Sequence, residues 1–146
     1  PPPQIMAMLR LAASIDGRYP QAAFAYVYSA IPKIIEAQKG DGAPRPQGKG
    51  RHVSGRQICE GLLALLQEDF GCLVTEVLHH WGINGTIDIG NIVYKLIELN
   101  FLSASPGDAL SDFEDVFPID DRLWRSRLPP DPENPPPPLP PIKFRK

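Results

Sequence analysis

The sequence predicts a mainly α-helical domain of winged-helix-like order, followed by an extended proline-rich tail. Apolar residues recur at intervals of three and four along several stretches before residue 100, and residues that begin or end helices flank these stretches. Nine of the residues from Pro129 to Pro141 are proline, which predicts polyproline II backbone there. We therefore predict a helical domain over residues 1–128, with a basic loop at residues 39–53, and a tail over residues 129–146.

Two helices are predicted at the amino terminus. The first runs from Gln4 to Ile15 and stops at Asp16-Gly17; its apolar positions are Ile5, Met8, Leu9, Ala12 and Ala13. The second begins near Pro20 and carries an apolar pattern from Phe24 to Ile35. Pro32 lies inside that pattern, so we expect it to kink or split the helix, because proline lacks a backbone donor.

Three further helices are predicted between residues 54 and 100. Ser54 and Gln57 have the spacing of a capping box, and the helix that follows should end at Gly71. A shorter helix ends at Gly82, and the next is capped by Thr86 or Asp88 and ends at Asn100.

The segment after Asn100 resembles a β-hairpin in its pattern. Phe101-Leu102 and the stretch from Leu110 to Phe117 flank a turn-forming Ser105-Pro106-Gly107-Asp108. Three helices followed by a hairpin are the order of a winged helix, although a helical bundle with an irregular end would produce the same pattern. We expect Leu123-Trp124 to pack back on the domain.

Composition narrows the functional classes. The chain has 146 residues, 42% of them hydrophobic and 22% charged, with 18 prolines and a net charge of −2. A charge this small provides no global attraction to nucleic acid or to an anionic membrane. No apolar stretch approaches the roughly 18 to 20 residues that span a bilayer, and no signal-peptide pattern occurs, so we predict a cytoplasmic protein.

Several phrases resemble an uncharacterised bacterial family of about domain size, over about Asp16 to Phe117. The phrases are Arg18-Tyr19-Pro20 with Ala23, Tyr26 and Val27, Arg51-His52-Val53-Ser54-Gly55, Phe70-Gly71, Trp81-Gly82-Ile83, and Asp88 to Leu96. The family has no assigned activity, so the resemblance implies a shared fold and no function. The chain departs from it near Gly40 to Gly50 and in the proline tail.

No residue pattern predicts a catalytic, metal or cofactor site. Neighbouring helical residues such as His79 and His80 point in different directions, so a buried Trp81 with one partnered and one exposed histidine is the favoured interpretation. Cys59 and Cys72 lack zinc-site spacing and are interpreted as structural thiols. Ser54 already serves as a helix cap, so pairing it with His52 as a nucleophile is disfavoured.

Charge is distributed unevenly along the chain. Between positions 39 and 56 the charged residues are basic except for Asp41. We call the basic ones the basic strip: Lys39, Arg45, Lys49, Arg51 and Arg56. The strip is a candidate phosphate or RNA contact, and a solvated loop is the alternative interpretation. The predicted wing and the residues after it are acidic: Asp108, Asp112, Glu114, Asp115, Asp120 and Asp121. The predicted helix that ends at Asn100 would be the recognition helix of a winged helix. Its one basic residue is Lys95, whereas Asp88 and Glu98 are acidic, and this charge disfavours sequence-specific DNA binding.

The tail has the clearest functional pattern. Pro138 to Lys143 has the form of a polyproline ligand with a flanking cation. The candidate partner-binding residues are Pro137, Pro138, Leu139, Pro140, Pro141, Ile142, Lys143, Phe144 and Arg145. The sequence thus predicts a non-catalytic accessory subunit that docks on a larger protein or ribonucleoprotein complex; the alternative is an RNA-binding or ribosome-associated protein that uses the basic strip.

Overall fold

The computed structural model describes residues 2–39, 53–103 and 108–127, together with Glu133. The chain is mainly helical, as predicted. Its α-helices are α1 (Pro3–Asp16), α2 (Gln21–Lys39), α3 (Gly55–Phe70), α4 (Val74–His80), α5 (Thr86–Glu98) and α6 (Ile119–Arg127), and 3-10 helices form at Gly71–Leu73 and Leu110–Phe113.

The amino-terminal helices form where the sequence predicts them. Gly17 ends α1 in the left-handed conformation with a φ of 73°, and its N–H donates to the carbonyl of Ala13 at 2.9 Å. Pro32 does not split α2, which continues to Lys39. Phe24 and Val27 before the proline and Ile34 after it are all buried, so packing holds both halves in helix although Pro32 supplies no N–H.

The next helices begin and end at the predicted signals. The Ser54 hydroxyl accepts from the Gln57 N–H at 3.2 Å and the Gln57 side chain accepts from the Ser54 N–H at 2.8 Å, which confirms the capping box. Gly82 and Asn100 are left-handed, with φ of 76° and 66°. Both sit in Schellman motifs, since the N–H groups of Ile83 and Phe101 donate back to the carbonyls of Leu78 and Leu96.

The β-hairpin prediction is wrong. In place of a strand from Leu110 to Phe117 the structure has a 3-10 helix over Leu110–Phe113, and residues 104–107 lie outside the described part. The Asp112 carboxylate accepts from the Ala109 N–H at 3.0 Å, a helix-type cap that starts this turn. Asp115 is left-handed, with a φ of 46°, which ends any extended run. The winged-helix architecture is therefore not supported.

Helix α5 packs against three other elements. It contacts α2, α3 and the Leu110–Phe113 turn. Its buried side chains are Thr86, Ile89, Ile92, Val93 and Leu96. Gly90 allows the turn to approach closely, because a Cβ at this position would lie 2.6 Å from the Cβ of Phe113 and 2.7 Å from its Cγ.

Helix α6 packs on the domain through one of the two residues that were predicted to do so. Leu123 is buried, whereas 62% of the Trp124 surface is exposed. The Arg122 guanidinium lies over the Phe117 ring at 4.3 Å from its centroid and anchors the entry to the helix. Among the described helices, none has the length and apolarity required to cross a membrane.

Replacing Gly90 with alanine should destabilise the fold. The added methyl group must displace the Phe113 side chain, and this overpacking outweighs the better helix propensity of alanine, so we expect a net loss of about 1 to 2 kcal/mol in the free energy of unfolding. Urea denaturation measures it. Gly85→Ser is the control, because no atom lies within 4 Å of a Cβ there and serine caps helices well, so its stability should change by no more than about 0.5 kcal/mol. Equal stability of Gly90→Ala and the native protein would contradict the packing at Phe113.

Candidate functional site

Helix α1 leaves an apolar face uncovered. Met8, Leu11 and Ile15 lie at helical spacings of three and four on one side of it, with 50%, 61% and 64% of their surfaces exposed. We call these three side chains the α1 face. The opposite side packs into the core through Leu9 and Ala12. The sequence prediction placed Met8 on the buried stripe and is wrong there, because Met8 turns to the solvent side.

The α1 face is also nearly free of charge. Arg10 is the one basic residue in α1, and its guanidinium donates to the Gln21 side chain at 3.4 Å. A surface helix normally turns polar residues toward water, so these three large apolar side chains form an unusual apolar patch on the surface.

A cavity of about 250 Å³ lies between α2, α3, α5 and residues 102–103 and 108–113. Its wall is largely apolar, and the side chains that form it are Ile31, Ile35, Val53, Ile58, Val93, Ile97, Leu102 and Phe113. Ser103, Asp108, Asp112 and Tyr94 contribute the polar part of the lining. Neither lysine nor arginine occurs among the described residues that line it.

The acidic side of this cavity is electrostatically coupled to Tyr94. Burial raises the pKa of the Tyr94 phenol, and the nearby negative charges of Asp108 and Asp112 raise it further. The Tyr94 ring packs edge-on against Phe113, with 6.2 Å between ring centroids. The phenol therefore stays neutral at physiological pH, and its aromatic ring faces the same small volume as the two carboxylates.

A polar network joins the α1–α2 connection to the start of α5. The Tyr19 hydroxyl donates to Asp88 at 2.6 Å and accepts from the Asn91 amide at 3.0 Å. The other oxygen of Asp88 accepts from the N–H groups of Asn84 and Gly85 at 2.9 and 3.1 Å. Burial, followed by the hydrogen bond to Asp88, raises the pKa of Tyr19 to about 12. Gly85 is the N-cap of α5, in place of the predicted Thr86 or Asp88, and Asp88 stabilises the helix start from the third helical position by accepting the Gly85 N–H. The network is therefore structural.

The histidine pair lies beside an aromatic cluster. Trp81 is buried, with its ring 5.5 Å from that of Tyr26 and 6.0 Å from that of Phe70. The His79 Nε2 lies 3.6 Å from a carboxylate oxygen of Asp120, and His80 is exposed. This arrangement is the predicted one. Across residues 2–39, 53–103 and 108–127, no three histidine, cysteine or acidic side chains are grouped so as to hold a metal.

The two cysteines differ in exposure. Cys59 is fully buried in α3, and Cys72 is exposed in the short 3-10 helix; neither forms a disulfide. Burial, with a smaller contribution from the Glu60 charge, raises the pKa of Cys59 to about 12. Cys59 is therefore a buried apolar group, as predicted, whereas the same interpretation is wrong for Cys72, whose thiol lies at the surface.

Most of the predicted binding residues lie outside the described part of the chain. Of the basic strip, only Arg56 has a described side chain; it is exposed, and its Nε lies 3.4 Å from a carboxylate oxygen of Glu60. Arg45, Lys49, Arg51 and the side chain of Lys39 lie outside. So do the tail residues Pro137, Pro138, Leu139, Pro140, Pro141, Ile142, Lys143, Phe144 and Arg145.

Helix α5, which the winged-helix prediction made the recognition helix, has its one lysine close to a glutamate. Lys95 lies 3.1 Å from Glu98, and the Leu110–Phe113 turn packs along α5. The acidic residues of this turn and of the start of α6 are mostly exposed. Asp112 in the turn thus adds an exposed negative charge beside α5, which opposes approach of a phosphate backbone.

Comparisons with known proteins found no matching family model, no matching curated protein and no matching solved structure. The resemblance to a bacterial family stays a prediction. The arguments for function therefore rest on the α1 face, the cavity and the tail sequence.

The buried thiol predicts a loss of stability in mild alkali. Cys59 deprotonates near pH 9 in the unfolded chain but near pH 12 in the folded protein. Between these values the unfolded state binds fewer protons, so the free energy of unfolding falls as pH rises, by at most about 1.4 kcal/mol per pH unit from this thiol. Urea denaturation at pH 8 to 10 measures the fall, to which Tyr19 and Tyr26 add as the pH approaches 10, because folding also raises the pKa of both phenols.

Cysteine variants isolate the cause of that slope. Cys59→Ala should make the fall between pH 9 and 10 clearly shallower, although its stability at pH 7 is lower because a buried side chain is shortened. Cys72→Ala is the matched control and should keep the native slope, since Cys72 is exposed. An unchanged slope in Cys59→Ala would assign the pH dependence to the tyrosines or to another group.

Proposed function

We propose that this chain is a non-catalytic interaction subunit that docks on a larger protein through the α1 face, with the proline-rich tail as a second contact. The observation that carries the proposal is the exposed row of Met8, Leu11 and Ile15. The partner is a protein with an apolar groove that accepts one side of a helix, a common mode of recognition with anchors at intervals of three and four.

The energetics favour covering this face. Full burial of one large apolar side chain contributes about 1.5 to 3 kcal/mol, and each of the three is at least half exposed in the isolated chain. Two or three such anchors are what dominates the affinity of many protein interfaces. The face lacks the cations that a nucleic-acid contact requires, which supports a protein partner.

The tail supports the same function by a different mechanism. Polyproline segments bind aromatic grooves with less loss of conformational entropy than flexible chains, because their backbone is already extended. The tail ends in Ile142-Lys143-Phe144-Arg145-Lys146, which adds two apolar anchors and three cations. A tail contact linked to a docked domain would act at a high effective concentration, so two modest contacts together give a stable assembly.

The RNA-binding alternative depends on the basic strip, most of which lies outside the described residues. Phosphate-driven binding would weaken steeply between low and moderate salt, and charge reversal at Arg45, Lys49 and Arg51 would abolish it. Apolar docking through α1 would change little with salt. The salt dependence of the isolated complex therefore distinguishes the two functions.

A charge placed in the α1 face should release the partner. Leu11→Glu puts a carboxylate into the apolar contact, so the amount of partner that co-purifies should fall at least about tenfold, because a buried unpaired charge costs several kcal/mol. Quantitative mass spectrometry of affinity-purified complexes, with and without nuclease, gives the measurement. A photo-crosslinking residue at position 15 should attach to the same partner.

The matched control is Ala64→Glu, which adds the same charge at an exposed position of α3. It should retain the partner, and both variants should keep the native helical circular dichroism. Equal recovery with Leu11→Glu and the native chain would rule out α1 as the docking element. Loss of the partner on nuclease treatment would favour RNA binding, and a doubled mass of the purified chain alone would indicate self-association instead.

Removing the tail should weaken assembly without unfolding the domain. A chain ending at Leu128 retains all the described helices, so we expect unchanged thermal unfolding and reduced recovery of the partner in washes of increasing stringency. A tail in which Pro138, Pro140 and Pro141 are alanine separates the role of polyproline from that of length. Full recovery with both variants would remove the tail from the proposal.

A further inference from the structure

Helices α1 and α2 follow each other in the chain and pack against each other. Among the described elements, α2 is the one that α1 contacts most extensively. Leu9 and Ala12 are fully buried on the side of α1 that faces the domain. The Gln21 amide at the start of α2 donates to the Met6 carbonyl at 3.1 Å. The α2 surface is therefore complementary to this helix, whichever copy of the chain supplies it.

The turn between the two helices centres on Gly17. Gly17 is left-handed, with a φ of 73°, and no atom lies within 4 Å of a Cβ placed there. The chain is fixed soon after it, because Tyr19 is buried and its hydroxyl donates to Asp88. The Arg18 carbonyl also packs against Gly82, since a Cβ at position 82 would lie 3.1 Å from it. Glycine adopts left-handed and extended backbone with similar ease, so a change at Gly17 alone can redirect α1.

We propose that α1 is exchanged between two copies of this chain, with Gly17 as the hinge. In the exchanged dimer each α1 leaves its own α2 and packs on the α2 of the other copy. The contacts of Leu9 and Ala12 form again between the chains, so the exchange needs no new complementary surface. Monomer and dimer then differ chiefly in one backbone turn per chain.

The exchange keeps the α1 face on the outside. Met8, Leu11 and Ile15 lie opposite the side that packs on α2, so they stay exposed in the dimer as in the monomer. An exchanged dimer presents two such faces, and two faces on one particle bind a repeated partner more tightly than one. The exchange itself does not depend on the proposed docking function, and it can be tested without a partner.

The backbone at position 17 sets the balance between monomer and dimer. The left-handed turn is required only where α1 folds back on its own α2, whereas the hinge of the exchanged dimer can be extended or right-handed. A left-handed conformation disfavours alanine about tenfold relative to the other allowed conformations. Gly17→Ala therefore penalises each of two monomers. Its dimerisation constant should exceed that of the native chain about a hundredfold, because the dimer relieves two turns.

Size-exclusion chromatography with light scattering, over a wide range of concentrations, measures that constant on the full chain. Insertion of three glycines after Gly17 should lower the dimer fraction of Gly17→Ala, since a longer loop lets α1 reach its own α2 again.

The matched control is Gly71→Ala. Gly71 also has a positive φ, 56°, and no atom within 4 Å of a Cβ, so alanine strains the backbone there too. An exchange about Gly71 would have to separate α2 and α3 from α5, which pack together. Gly71→Ala should therefore lose stability and dimerise no more than the native chain.

A pair of single-cysteine chains identifies the exchanged helix. Met6 and Gln21 are in contact between α1 and α2. A chain with Met6→Cys is refolded together with a chain with Gln21→Cys, both of them carrying Gly17→Ala and Cys72→Ala. The two new thiols meet only when α1 of one chain lies on α2 of the other, so mild oxidation should give a covalent heterodimer. Leu11→Glu in both chains should leave the yield unchanged, because the α1 face takes no part in the exchange.

Several results would overturn the proposal. Gly17→Ala that is no more dimeric than the native chain would remove Gly17 as the hinge. A dimer without the covalent heterodimer would show that α1 stays on its own chain. Equal dimer fractions in Gly17→Ala and Gly71→Ala would assign the dimer to general destabilisation. A dimer that Leu11→Glu abolishes would be association through the α1 face.

Discussion

The hydroxyl group of Thr86 joins the start of α5 to the segment that follows the Leu110–Phe113 turn. It donates to the Phe113 carbonyl at 2.7 Å and accepts from the Val116 N–H at 3.1 Å, so one buried side chain satisfies backbone groups on both sides of the left-handed Asp115. With these groups satisfied, the segment after the 110–113 turn can cross the start of α5 and lead into α6. Phe113 then packs over Gly90, Asp112 approaches Gly55, and Tyr94 takes its edge-on position against Phe113. The acidic side of the cavity depends on this crossing.

Two other long-range hydrogen bonds join α2 and the connection before it to α3 and α5. Tyr19 reaches Asp88 across the start of α5, and Tyr26 donates to Asp69 at 2.6 Å near the end of α3. In each contact a partly buried phenol donates to a carboxylate. Burial raises the pKa of both phenols, and the hydrogen bond raises it further. α1, by contrast, meets the domain mainly through apolar packing on one side. Its other side is available for a partner without disturbing the network that positions α5.

Local signals in the sequence identify most of the helices. Ser54 with Gln57, and the left-handed Gly17, Gly82 and Asn100, act within one helical turn, so their spacing alone predicts where a helix begins or ends. Residues 110–117 were misassigned because apolar residues next to turn formers suit both a strand and a 3-10 turn. The deciding interactions, with Thr86 and Gly90, come from residues more than 20 positions away in the chain. No local sequence pattern predicts the cavity, because its lining comes from separate segments of the chain. A pattern does predict the α1 face, because Leu11 and Ile15 are apolar and fall outside the stripe assigned to the core.

Because the two thiols differ in exposure, their reaction with a reagent can report local unfolding of the core. Cys59 sits in the core on α3, whereas Cys72 lies at the surface on the turn that follows. A thiol-specific reagent should modify Cys72 in the folded molecule and reach Cys59 only when α3 separates from its neighbours. The rate at which Cys59 is labelled would therefore report how often the core opens transiently. A ligand or partner that stabilises the domain would lower this rate.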